Sequence, residues 1–328
     1  MSATAARLEA RRASKRFPGG VALDGVSLAL AAGEVVALVG ENGAGKSTLT
    51  KILAGIHAPD AGEILIDGLQ VEITSPRRAM QLGVALIHQE LNLADNLDVA
   101  GNLYLGREPR RLGFLARRKL ESESRVVLER IGARFGPRTP LAELSIGERQ
   151  MVEIAKALAL DARIFLMDEP TSSSSAGEVE RLFALVRALA AGGASILYIS
   201  HRLGEVRTIA DRVVVLRDGK LAGELVGAAI EHDAMVRMMV GRDLDVVHAR
   251  GSCAPGEVVL EARGLVVPSH PEHALDFSLR AGEIVGLAGL VGAGRSELLD
   301  VLFGVVRARA GTLLLDGVVS ANGGSYVV

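Results

Sequence analysis

The chain has 328 residues, 49% of them apolar and only 3% aromatic, with a single cysteine and a net charge of −2. Its even mix of charges makes no field that gathers DNA or RNA, the lone Cys253 excludes a disulfide framework or zinc cluster, and no apolar run reaches the roughly 18 residues of a membrane span. What remains is a large core packed by Leu, Val, Ile and Ala, enough for one large domain and the beginning of another, or for two small ones.

In chain order, the Arg-rich start from Arg11 to Arg16 reads as the polar face of a first strand. Glu34 to Val39 reads as a short buried strand, and Lys46 to Leu53 as a helix with Leu49, Ile52 and Leu53 facing inward. Between them stand Gly40, Glu41, Asn42, Gly43, Ala44, Gly45, Lys46, Ser47 and Thr48, which fit the phosphate-cradling G-x-x-x-x-G-K-[ST] loop. The glycines let backbone N–H groups converge on an anion, and the helix N-terminus adds its partial positive charge. Lys46 is placed to reach the β- and γ-phosphates of a nucleotide, and the Ser47 hydroxyl to ligate magnesium.

Gly62 to Gly68 then reads as a strand ending in a turn, and Val84 to Ile87 as a strand running into His88-Gln89-Glu90. From Leu91 to about Leu144 the pattern is helical, with charged clusters such as Arg117-Arg118-Lys119 read as solvated faces, and it suggests a helical subdomain inserted into an α/β core. A helix (146–160), a strand (163–167), a helix (176–190), a strand (194–199) and a strand (212–216) ending at Arg217-Asp218-Gly219 follow. This alternation predicts a mainly parallel sheet covered by helices.

The chain begins the same domain twice. Ala32 to Gly68 aligns without a gap to Ala281 to Gly317, and Leu8-Glu9-Ala10-Arg11 has its counterpart in Leu260-Glu261-Ala262-Arg263. The expected division is a first domain over 5–241, with its helical subdomain at about 91–160, a linker over 242–256, and an incomplete second domain over 257–328.

Two further stretches carry chemistry. Ile164 to Glu169 is a strand delivering two adjacent carboxylates, Asp168 suited to magnesium held through water and Glu169 to a general base for an attacking water. Ser145 and Gly147 start a helix whose N-terminus forms a second anion-binding end, with Gln150 one turn on.

Leu144-Ser145-Ile146-Gly147-Glu148-Arg149-Gln150 resembles the signature motif of ABC-type ATPases, and the rest of that family's set follows in order. Gln89 resembles the Q-loop glutamine, His201 the switch histidine, and Phe17 the aromatic that stacks on adenine. Phe17-Pro18-Gly19, Ile87 to Leu93, Met151 to Lys156 and Met239 to Arg242 resemble more narrowly the ATP-binding subunits of bacterial simple-sugar importers of the ribose, xylose and galactoside group, over almost the whole chain to about Gly317. The resemblance implies an α/β P-loop NTPase of ABC type, with an antiparallel β subdomain beside the mainly parallel core, an inserted helical subdomain and a partial second copy. It implies ATP and Mg2+ as ligands, with Ser47, Gln89 and Asp168 around the metal, Glu169 as the base and His201 on the γ-phosphate. It also implies hydrolysis coupled to monosaccharide import, at the cytoplasmic face of the inner membrane, on two permease subunits served by a periplasmic sugar-binding protein. Sites in that family are composite, the P-loop of one half closing on the signature of the other, so a second domain in trans is a further expected partner.

Three departures qualify the match. In the second copy, Gly289, Gly294, Arg295 and Ser296 repeat the P-loop spacing, but Arg295 stands where Lys46 does and Glu297 where Thr48 does, so weak hydrolysis is expected there. After Gly317 the register is lost and no second signature, Asp-Glu strand or switch histidine follows, for which a shortened or frame-shifted gene product is the expectation; the region from Glu257 would lack the neighbours that bury a parallel sheet and is expected to be only marginally ordered. Thr171 to Ser175 replaces a loop in which relatives usually place a Leu. The alternatives to a sugar importer are a soluble twin-domain ABC ATPase acting on ribosomes or DNA, a P-loop kinase, and a non-functional remnant of the transporter subunit.

Overall fold

The computed structural model describes residues 6–88, 92–172, 175–241, 255–289 and 292–319, in two compact units divided between Leu244 and Asp245. The first unit opens with the long strands β1 (Ala6–Phe17) and β2 (Gly20–Ala31), closed by Phe17 pairing with Gly20. On β1, Leu8 and Ala10 are buried; a register shift follows, with Arg12 in the left-handed region at φ 51°, and Ala13 is again turned inward. Arg11 and Arg12 are thereby left on the exposed face.

β3 (Val35–Val39) and α1 (Lys46–Leu53) flank the glycine loop, and β4 (Ala61–Ile66) and β5 (Leu69–Val71) complete an antiparallel sheet in the order β2-β1-β4-β5. After α2 (Pro76–Gln81) and β6 (Val84–Ile87) comes the inserted region. It holds α3 (Val99–Leu103), the small hairpin β7 (Arg110–Arg111) and β8 (Phe114–Leu115), α4 (Arg117–Arg130) and α5 (Ile146–Leu158). It is therefore less uniformly helical than the sequence pattern suggests: two-residue strands carry no readable period. Arg117, in the charged cluster, pairs with Asp98, the N-cap of α3, and with Glu121 one turn along α4.

β9 (Ile164–Asp168), α6 (Ala176–Ala191), β10 (Ser195–Ile199), α7 (Leu203–Ile209), β11 (Arg212–Arg217), β12 (Lys220–Val226) and α8 (His232–Val240) finish the unit. The main sheet runs β12-β11-β3-β10-β9-β6, parallel throughout except for the antiparallel edge strand β12. It is covered on both faces, as a parallel sheet must be. Along β9, Ile164 and Leu166 pack with Leu49, Ile52 and Leu53 of α1, whereas Phe165 and Met167 pack with Ile154 and Leu158 of α5 and Leu182 and Val186 of α6.

The second unit repeats the first piece by piece. β13 (Val258–Val266), β14 (Ala274–Arg280), α9 (Arg295–Phe303), β15 (Ala310–Leu315) and β16 (Val318–Val319) correspond to β1, β2, α1, β4 and β5, and the sheet order β14-β13-β15-β16 matches β2-β1-β4-β5. A small core of Ala262, Leu265, Val267, Leu298, Val301 and Leu313 lies between this sheet and α9. The antiparallel strands thus find their neighbours within the same copy, contrary to the expected lack. The missing neighbours tell at one place only. The counterpart of β3, Ile284 to Leu287, forms no strand, and Ile284 is 81% exposed where Val35 to Val39 are all buried. β3 is held between β10 and β11, and the described residues of the second unit contain no equivalent of either.

Candidate functional site

In an open parallel sheet, ligands gather at the carboxyl ends of the strands. Four adjacent strands, β3, β10, β9 and β6, deliver to that edge the glycine loop, His201, the Asp168-Glu169 pair and His88. The register holds them level: Ile199 lies opposite Leu38 on one side and Asp168 on the other, and Met167 opposite Ile87. Gln89, the predicted companion on the β6 side, lies outside the described residues.

The glycine loop is shaped by close approach. A Cβ on Gly45, at φ 101°, would stand 2.6 Å from the Ala22 carbonyl oxygen of β2, and one on Gly40 would stand 2.4 Å from that of Leu216 at the end of β11. No other residue fits either place. Gly45 caps α1 without any side-chain hydrogen bond, so the first-turn N–H groups are left for an anion. Lys46, only 8% exposed, donates to the carbonyls of Gly40 at 2.7 Å and Glu41 at 2.9 Å, spanning the loop it belongs to. Burial pulls its ammonium below the usual lysine range, and the Glu169 and Asp168 carboxylates push back. Asn42, Gly43 and Ser47 are exposed, Thr48 is half-buried, and Ala44 is tied to the turn after β11 by Gly219 N–H donating to its carbonyl at 3.3 Å.

Asp168 is half-buried, and burial followed by the neighbouring Glu169 charge pushes its carboxyl above the usual range. It receives no side-chain hydrogen bond among the described residues. A half-buried carboxylate without side-chain donors among the described residues, at the sheet edge that also carries the exposed Ser47 hydroxyl at the start of α1, has the chemistry a hard divalent cation takes. Glu169 occupies the left-handed region at φ 47°, held there by its N–H donating to Ile199 O at 2.9 Å. A non-glycine residue in that region is strained and persists only where its surroundings fix it. Its carboxylate faces His201, whose Nδ1 lies 3.0 Å from Oε1. Two of the three residues predicted as catalytic are thus in contact; the third, Gln89, lies outside the described residues. Phe17, 38% exposed at the hairpin end beside the loop-contacting Ala22 and Leu23, meets His57 edge to face with centroids 5.5 Å apart.

The second anion-binding end carries an occupant that sequence reasoning missed. Ser145 caps α5 in a reciprocal box with Glu148, and Gln150 is buried. The Gly147 N–H donates at 3.1 Å to Oε1 of Glu178, in the first turn of α6. Oε2 of the same carboxylate accepts from Ser175 N–H at 2.9 Å and Oγ at 2.8 Å. With these donors and the Ser145 hydroxyl, Glu178 is held down at about 2. A methyl at Gly147 would meet its Cγ at 2.6 Å, so the glycine admits this carboxylate. The Ser175-x-x-Glu178 spacing signals a capping box, but nothing in it points to a glycine so far along the chain.

In the second unit the loop is described only in part. The backbone contacts of Gly40 and Gly45 are not repeated among the described residues: a Cβ on Gly289 would stand 3.0 Å from that of Ala293 and one on Gly294 2.6 Å from the His270 ring, while Arg295 and Ser296 open α9 with Glu297 in its first turn.

The family model described as ABC transporter matches residues 23–172 and again 273–323, together more than half of the chain. The ribose import ATP-binding protein RbsA 1 of Rubrobacter xylanophilus is 53% identical over 312 residues, 94% of this chain and 62% of that protein. The arabinose import ATP-binding protein AraG 2 of Burkholderia thailandensis is 49% identical over 314 residues, 95% of this chain and 60% of that protein. The chain therefore spans about three fifths of the length of these relatives. Among solved structures, the ADP conformation of an ATP-binding cassette of an ABC transporter superposes with a TM-score of 0.64 at 26% identity, covering 72% of this chain and 99% of the other. The glycine loop, the carboxylate pair and the histidine share one sheet edge, and the family model, which matches the first copy and again the second, places the chain in the ABC transporter family.

Proposed function

We propose that the chain binds and hydrolyses ATP as the energy-coupling subunit of a monosaccharide importer. The observation that carries this reading is the Glu169–His201 contact at 3.0 Å, set at the sheet edge beside the loop that holds Lys46. The names of the ribose and arabinose relatives supply the substrate class.

In this reading the phosphates of ATP lie on the first-turn amides of α1, and Lys46 exchanges its two carbonyl partners for phosphate oxygens. Ser47 and Asp168, with Gln89, would hold magnesium, which would supply neutralisation of phosphate charge. Glu169 takes a proton from the attacking water. With Nδ1 of His201 engaged by that carboxylate, Nε2 is the nitrogen left to face the γ-phosphate. Phe17 supports the adenine. Most of the acceleration is positioning and electrostatic stabilisation. The site is completed by the Ser145–Gly147 end of a second ATPase domain in trans, and in the unpaired chain that end is occupied by Glu178. The subunit works at the cytoplasmic face of the membrane against two permease subunits, fed by a periplasmic sugar-binding protein; among the described residues no helix is long and apolar enough to cross a membrane.

Equilibrium binding of a fluorescent ATP analogue with and without magnesium tests the reading. Binding that Lys46→Ala abolishes supports it, and binding indifferent to that substitution and to magnesium refutes it.

A further inference from the structure

Neither side chain of the Glu169–His201 pair is held by any other side chain among the described residues, and His201 is 58% exposed. Their separation is therefore set by the two loops that carry them, one after β9 and one after β10. Both loops converge on a single carboxylate, that of Glu205 on α7. Its Oε2 accepts from Thr171 Oγ1 of the first loop at 2.6 Å, from Ser200 Oγ of the second at 3.4 Å, and from Tyr198 OH of β10 at 3.1 Å. Its Oε1 pairs with Arg202 at 3.2 Å, and the same guanidinium reaches across to Ser172 O at 3.3 Å. Thr171, Tyr198 and Ser200 are at most 2% exposed, so these hydroxyls have no access to solvent. A buried polar network satisfied by one acceptor is rigid, and costly to break.

We infer that Glu205 is a positioning residue for the reaction: it holds the loop after β9 against the loop after β10 and thereby fixes Glu169 at contact distance from His201. It touches neither nucleotide nor water. Its kinetic consequence rests on the hydrolysis proposed above, but its geometric consequence does not. A displacement of about 1 Å in a reacting group costs up to about 100-fold in rate. Glu205→Gln keeps the shape but only one acceptor oxygen: its amide group faces either Arg202, freeing the guanidinium that reaches Ser172 O, or the Thr171, Tyr198 and Ser200 hydroxyls, so one of the two links between the loops is lost.

The experiment has two readouts on the full chain. The first is the 15N chemical shift of the His201 ring at one fixed pH, assigned with His201→Asn. Glu169→Gln changes the Nδ1 shift by removing the carboxylate that lies 3.0 Å away, and Glu205→Gln is expected to change it in the same direction with Glu169 intact. A wild-type Nδ1 shift in folded Glu205→Gln protein overturns the inference, whether or not the chain hydrolyses ATP. The second is steady-state kinetics: a fall in kcat of about 10- to 100-fold with KM for ATP within about twofold is expected, and no further fall when Glu205→Gln is added to His201→Ala. Unchanged kcat, or losses that multiply in the double variant, contradict it. Should Glu205→Gln fail to fold, Thr171→Val removes one donor from one loop, and the same His201 readout, smaller in size, decides.

Discussion

Replacing Gly147 by Ala sets two effects of known sign against each other. In isolation the change favours α5 by about 0.5 kcal/mol, because alanine in a first helical turn loses less backbone entropy than glycine. In place, the methyl meets Cγ of Glu178 at 2.6 Å and Cδ and Oε1 at 2.7 Å. The carboxylate must swing away and give up the Gly147 N–H. A hydrogen bond to a charged group is worth about 1.5–3 kcal/mol, and water replaces this partner at a half-exposed amide, so about 1.5 kcal/mol is lost. The loss wins, and Gly147→Ala should destabilise the chain by about 1 kcal/mol. Urea unfolding followed by circular dichroism at neutral pH measures it, and Glu178→Ala is the control background. Without the carboxylate the same methyl should be neutral or slightly stabilising, a coupling of about 1.5 kcal/mol. Equal destabilisation in both backgrounds would show that Glu178 does not occupy the end of α5.

Other expectations follow from the same geometry. Glu169→Gln should leave ATP binding intact and cut turnover by about 100-fold or more, since the positioned base is lost and the loop that binds phosphate is not; retained hydrolysis removes Glu169 from that role. Gly45→Ala places a Cβ 2.6 Å from a backbone oxygen in a left-handed conformation, so binding of the ATP analogue should weaken by about 5- to 150-fold, from the roughly 1–3 kcal/mol that such strain costs. Glu178, held at about 2, lies below its value in the unfolded chain. Its contribution is therefore fully present above the unfolded carboxyl range and is lost as pH falls through about 2. Glu178→Gln should flatten the acid side of the stability profile in that window, and an unaltered profile contradicts the assignment.

The parts of the site legible in sequence are those whose geometry is local. The loop from Gly40 to Thr48 and its flanking strand and helix are written in consecutive residues, although the contacts that demand Gly40 and Gly45 come from Leu216 and Ala22, well away in sequence. The level placement of Asp168, Glu169 and His201 follows once the alternation of strands and helices implies a parallel sheet. What could not be read is carried by side chains meeting across the fold. Glu178 reaches Gly147 from another helix, and Glu205 collects hydroxyls from β10 and two loops. The second copy teaches the same lesson in reverse. Ile284 to Leu287 has the apolar run of a buried strand but no described neighbours, and β-structure depends on partners more than on propensity.

The central claim is that this sheet edge hydrolyses ATP when a second domain closes on it. Its most direct test is magnesium-dependent ATP hydrolysis by the purified chain as a function of its own concentration, with Glu169→Gln as the control. The account predicts activity per molecule that rises with concentration and is lost in the variant. Activity that is independent of concentration, or that survives Glu169→Gln, would contradict it.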